Sequence, residues 1–140
     1  MKTVFLTLAM VIIGAAVASA QEKHKLTVIV SDIQIMKGNI LLLVCDKDNF
    51  MTGSVKSRVA TVKEDKATIE VDDLPTGDYA IMLFHDVNEN YQLDTAETGI
   101  PTEGFGFSGD TSFFTGIPSF EDCKFTLSES STLAIKLLQL

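Results

Sequence analysis

Hydrophobic and polar positions alternate along most of this chain with a period of two, the mark of half-buried strands, and no long stretch repeats with the period of a helix. Leu26, Val28 and Val30 alternate with Thr27, Ile29 and Ser31, which predicts a first strand over residues 25–31. A turn follows at Lys37-Gly38-Asn39, and residues 40–45 are then apolar at every position, the pattern of a central strand covered on both faces. Residues 46–54 form a polar connection whose Phe50 and Met51 are expected to pack inward, and 55–63 a weaker strand around Val59 and Val62. Beyond a hairpin turn at Glu64-Asp65-Lys66, Ala67, Ile69 and Val71 alternate with Thr68, Glu70 and Asp72. Pro75 and Gly77 mark a tight turn within residues 74–78, with Gly77 expected to supply a positive φ, and residues 79–85 form the next strand. Near the end, Cys123, Phe125 and Leu127 alternate with Lys124, Thr126 and Ser128, and residues 132–138 close the chain. About seven strands at this spacing predict an all-β protein, a single antiparallel β-sandwich, with a small open barrel as the alternative.

The N-terminus does not belong to this pattern. Lys2 precedes an apolar run over residues 4–17 and the small residues Ala18-Ser19-Ala20, the arrangement of a secretory signal peptide cleaved before Gln21. The run is shorter than the ~20 residues needed to cross a bilayer, so residues 1–20 are expected to be removed. Residues 21–140 then form one domain of about 120 residues with a single core and no membrane span, located outside the cytoplasm as a secreted or periplasmic protein.

Charge narrows the partners. Eleven Lys and Arg stand against nineteen Asp and Glu, a formal net charge of −8 that loss of Lys2 makes one unit more negative. So acidic a surface repels phosphate backbones and anionic lipid, which argues against nucleic acid and membrane surfaces and favours cations. Cys45 and Cys123 are either a disulfide, as an oxidising compartment permits, or two buried thiols; no CxxC motif suggests redox catalysis.

Definite chemistry is concentrated in one stretch. Asp86, Asn88, Asn90, Gln92, Asp94 and Glu97 occupy positions 1, 3, 5, 7, 9 and 12 of a twelve-residue loop, the spacing that wraps oxygen ligands around one calcium ion. Asp86, Asn88 and Asn90 offer one side-chain oxygen each, Gln92 its carbonyl, Asp94 a direct or water-mediated contact and Glu97 two oxygens. Position 6, where the pattern wants Gly for a sharp turn, is Tyr91. A strand precedes the loop and Gly99-Ile100-Pro101 follows it, so an EF-hand-like loop on a β scaffold is expected, with Glu103 as an additional oxygen donor. The competing explanation is a polar turn in which Asp, Asn and Gly satisfy their own backbone. His85 adjoins Asp86, but neighbouring side chains of a strand face opposite ways, so a structural histidine is expected over a catalytic one. There is no GxSxG elbow for a serine nucleophile and no evident histidine partner for Cys45.

The succession Pro75, Gly77, Tyr79, His85, Asp86, Asn88, Asn90, Asp94, Gly99, Pro101, Glu103, Gly106, Phe107 and Ser108, followed by GIPSFEDCKFTL, resembles the secreted bacterial proteins grouped as domain of unknown function 2141. The resemblance covers nearly all of residues 21–140 and implies secretion and a single β domain, with no settled activity. Members commonly have Gly where this chain has Tyr91, and a small residue where it has Cys123, so no family-wide disulfide is implied. The LPTGDY turn is also similar to that of transthyretin-like and collagen-adhesin B-type sandwich domains, which are mostly structural or binding modules. The expected function is a noncatalytic module that binds a calcium ion and an unknown protein or cell-surface ligand. The alternatives are an enzyme using His85 and nearby carboxylates in hydrolysis, and a structural domain without metal.

Overall fold

The computed structural model describes residues 19–110 and 116–139, so the expected signal peptide lies, apart from its last two residues, outside the described residues. Two sheets pack face to face. Strands β1 (Lys23–Ser31), β4 (Ala67–Pro75) and β8 (Ser131–Lys136) form one, in the order β4-β1-β8. The other has the order β3-β2-β5-β6, from β2 (Asn39–Cys45), β3 (Lys56–Thr61), β5 (Gly77–Asp86) and β6 (Phe105–Phe107). Strand β7 (Phe125–Leu127) also pairs with β5, alongside its first residues, while β6 lies alongside its later ones.

The alternation read from the sequence is what closes this sandwich. Leu26, Val28 and Val30 of β1, Ile69 and Val71 of β4 and Ile135 of β8 meet Ile40, Leu42 and Val44 of β2 and Tyr79, Ile81 and Leu83 of β5 in one buried cluster. Full burial of each such side chain contributes about 1.5–3 kcal/mol, so the in/out register of every strand is firmly specified. Pairing is antiparallel throughout except between β1 and β8, which run parallel.

Several local expectations change. Among the described residues there are eight strands rather than about seven, because the segment around Gly106 forms β6. Gly106 is buried there, and a Cβ would come within 2.8 Å of Ile135 Cγ2, so only glycine lets this strand lie against the core. Cys123 does not begin a strand; it ends the short helix α1 (Phe120–Cys123), which Ser119 and Asp122 close with reciprocal capping bonds. The 74–78 turn shrinks to Thr76 between β4 and β5, and the positive φ belongs to Asp73 rather than Gly77. Met51 is exposed, whereas Phe50 packs edge-on against Phe120 at 5.8 Å. Val59 points outward from β3.

Phe120 and Cys123 of α1 cover the outer face of β5 at Ala80, helped by Phe50 and Phe107. Ser108 ties the two layers together: its hydroxyl accepts the Ile81 N–H at 2.8 Å and donates to the Cys123 carbonyl at 2.6 Å. Cys45 and Cys123 are both buried free thiols, which decides between the two states the sequence left open. Among the described residues, no helix is long and apolar enough to cross a membrane.

Candidate functional site

Strand β5 ends at Asp86, and the chain passes into the loop at the pole where β2 begins. Register puts Asn39 opposite Asp86 and Ile40 opposite His85. The entry is tight, because Gly38, at φ 74, has its backbone against Asp86: a Cβ there would sit 2.2 Å from the Asp86 carbonyl oxygen. The β1–β2 connection therefore fixes where β5 stops.

His85 continues the inward-facing series Ile81, Leu83 and is buried. Its Nε2 lies 2.7 Å from the Lys37 carbonyl, which only accepts, so Nε2 carries the proton and donates it there. Asp86 faces the other way, into the loop. The histidine thus latches the β1–β2 connection and is not turned toward the carboxylates.

Asp86 is fully buried and organises the loop around itself. Its Oδ1 accepts the Asn90 N–H at 3.0 Å and its Oδ2 the Tyr91 N–H at 2.8 Å, curling the chain around the carboxylate. Asn88 Oδ1 also accepts the Asn90 N–H at 3.2 Å, and Asn90 Oδ1 accepts the Gln92 N–H at 2.9 Å. The curl requires left-handed backbone at Glu89 (φ 60) and Tyr91 (φ 61). Position 6 therefore adopts the conformation that the loop pattern assigns to glycine, with a tyrosine in place.

Asp94 closes the ring: its Oδ2 accepts from Asn88 Nδ2 at 2.5 Å and its Oδ1 from Asn90 Nδ2 at 2.8 Å. Of the six residues singled out from the sequence, Asp86, Asn88, Asn90 and Asp94 are brought together by side chain, and Gln92 joins through its backbone. Glu97 stands apart. It is exposed in the turn held by the Gly99 N–H to Ala96 carbonyl bond of 2.8 Å, and among the described residues no hydrogen bond or ion pair reaches its side chain.

Glu103 takes a place the spacing pattern does not provide. Residues 94 and 102 join through the Thr102 N–H to Asp94 carbonyl bond at 2.9 Å, and Thr95 bridges Pro101, so the chain doubles back on the loop. Glu103 is thereby returned to the loop entrance, where Oε1 accepts the Val87 N–H at 2.9 Å and Oε2 the Asp94 N–H at 3.2 Å. One carboxylate ties position 2 of the loop to position 9. The signal for this was the Gly99-Ile100-Pro101 turn, which sends the chain back toward its start.

Among the described residues, no three His, Cys, Asp or Glu side chains lie together as a metal-holding group. The loop's donors are a mixture of two carboxylates, amide oxygens and backbone carbonyls, a set suited to a hard cation and unsuited to soft metals.

Residues 28–135 match the model of a family described as "Uncharacterized protein conserved in bacteria (DUF2141)". No curated protein matches the chain, and no solved structure does.

Proposed function

The chain belongs to the DUF2141 family of bacterial proteins, and within it we propose a noncatalytic secreted or periplasmic module whose 86–97 loop binds one calcium ion as a structural cofactor. The observation that carries this is the curl around Asp86. Its carboxylate accepts the N–H groups of loop positions 5 and 6, which leaves Asn88, Asn90 and Asp94 grouped at the same turn. Asp94 receives two uncharged amide N–H donors there and, among the described residues, no cationic side chain, so its negative charge is left for a cation to balance. Asp86, Asn88, Asn90, Gln92 through its carbonyl, and Asp94 would hold the ion; Glu97 would join by moving inward. Calcium supplies rigidity to the loop and thereby stability to the pole of the sandwich.

Calorimetry with a parallel thermal melt in calcium, magnesium or chelator tests this. We expect a dissociation constant on the order of 10⁻⁴ to 10⁻³ M for a site with few carboxylates, and a melting temperature that rises with calcium. Asp94→Ala, which alters a side chain outside the core, should abolish the heat. No heat at millimolar calcium, or the same heat in Asp94→Ala, overturns the proposal and leaves a loop closed by its own hydrogen bonds.

A further inference from the structure

The chain's net charge sits in one segment. Residues 86–123 hold eight of the nineteen Asp and Glu and none of the eleven Lys and Arg, so the other eleven acidic residues are matched in number by the eleven basic ones. The formal charge of −8 is therefore the charge of this segment. One divalent cation answers two of those eight charges.

Glu121 and Asp122 lie on α1, where Glu121 pairs with Lys47 and Lys124, but Asp86, Glu89, Asp94, Glu97 and Glu103 belong to the loop and its return, and apolar surface collects there. Five of the nine large apolar side chains exposed among the described residues are Ile35 and Met36, in the β1–β2 connection, and Tyr91, Leu93 and Ile100, in the loop. The two connections adjoin through Lys37 and Gly38, which contact His85 and Asp86. Tyr91 is the least expected of the five. It is 63% exposed at a positive φ, a conformation that costs a non-glycine residue roughly 1–2 kcal/mol. Glu89 and Glu97, interleaved with these side chains, are exposed, and among the described residues no hydrogen bond or ion pair reaches their carboxylates.

We propose that this pole, Ile35 and Met36 together with residues 89–100, is the docking surface for a cationic protein segment that presents apolar side chains between lysines or arginines. Apolar contact with Tyr91, Leu93 and Ile100 supplies the burial. Glu89 and Glu97, set against the one exposed cation of these two connections, Lys37, select a cationic partner and disfavour an anionic one, a lipid surface included. Glu97 belongs to the proposed calcium ligands as well, whereas Glu89, Tyr91, Leu93 and Ile100 give the ion no side-chain oxygen, so these four carry the docking surface whether or not the loop holds a metal.

The test uses the mature chain and a labelled amphipathic peptide of Leu and Lys, with a Leu and Glu peptide and phosphatidylglycerol vesicles as competitors for the same surface. Binding is followed by anisotropy and by amide shifts, in calcium and in chelator. The Leu-Lys peptide should bind in at least one of these conditions, with shifts confined to residues 35, 36 and 89–100. Glu89→Gln combined with Ile100→Ser should weaken binding about tenfold. Tyr91→Gly, which relaxes the backbone and so keeps the fold, should weaken it severalfold. Absence of binding in both conditions, shifts centred elsewhere, unchanged affinity in these variants, or preference for the vesicles overturns the proposal. Calcium calorimetry on the same samples reports separately on the metal site.

Discussion

The Tyr91 backbone N–H donates to Asp86 Oδ2 at 2.8 Å, and Tyr91 holds that bond from a left-handed conformation at φ 61. A buried carboxylate and a backbone turn unfavourable to tyrosine thus depend on one another. Asp86→Ala removes a buried carboxylate that accepts two backbone N–H groups and should destabilise the protein by about 3 kcal/mol in urea denaturation. Tyr91→Gly removes the steric cost while adding chain entropy to the unfolded state, so stability should be unchanged or raised by up to about 1 kcal/mol. A loss beyond that in Tyr91→Gly, or a negligible effect of Asp86→Ala, would mean that something other than this pair shapes the loop.

Glu103 offers a second lever on the same loop. Its two oxygens accept the N–H groups of Val87 and Asp94, the first and last portions of the curl. Glu103→Ala should cost about 2 kcal/mol, and Glu103→Gln, which keeps one good acceptor, about half of that. Hydrogen exchange distinguishes loop opening from a general loss of stability: the Val87 and Asp94 amides should exchange faster while those of β1 stay protected. Uniform loss of protection across the sandwich would show that Glu103 acts elsewhere.

Two glycines with positive φ should behave very differently. Gly38 at φ 74 has the Asp86 carbonyl oxygen 2.2 Å from where a Cβ would stand, whereas Gly99 at φ 81 has nothing within 4 Å. Gly38→Ala must displace the end of β5 and should lose more than about 4 kcal/mol, enough to prevent folding in a marginal domain. Gly99→Ala meets only backbone strain and should lose about 1 kcal/mol. Similar melting temperatures for the two variants would contradict the close approach at Gly38.

The strands could be read from the sequence because burial on one face writes a period of two into it, as in Leu26, Val28 and Val30. The exceptions have physical reasons. Strand β6 is short and centred on Gly106, which has no side chain to show the period. Cys123 alternates with its neighbours as a strand residue would, yet the capping box at Ser119 and Asp122 turns it into the end of a helix. Loop spacing identified Asp86, Asn88, Asn90 and Asp94 because their hydrogen bonds are local. Spacing could not foresee that Glu97 would stand outside or that Glu103 would come back to Val87, since that return depends on pairing between residues 94 and 102.

The two cysteines provide a test at the far side of the five-stranded sheet. Burial, and then the nearby charges of Asp46 and Asp122, push the Cys45 and Cys123 thiols up from 9.0 to about 11. Both shifts favour the protonated form in the folded chain, so between these values the folded state binds more protons than the unfolded state. Their contribution to stability is complete below pH 9 and is lost as pH rises through about 11. Neither thiol should react with an alkylating reagent at pH 8 until denaturant is added, because the reactive thiolate is scarce and covered. Unfolding followed from pH 8 to 11 should show stability falling with pH, and Cys45→Ala combined with Cys123→Ala should flatten that fall whatever it does to stability at pH 8. Rapid labelling of the folded chain, or an equally steep fall in the double variant, would place the thiols in contact with water.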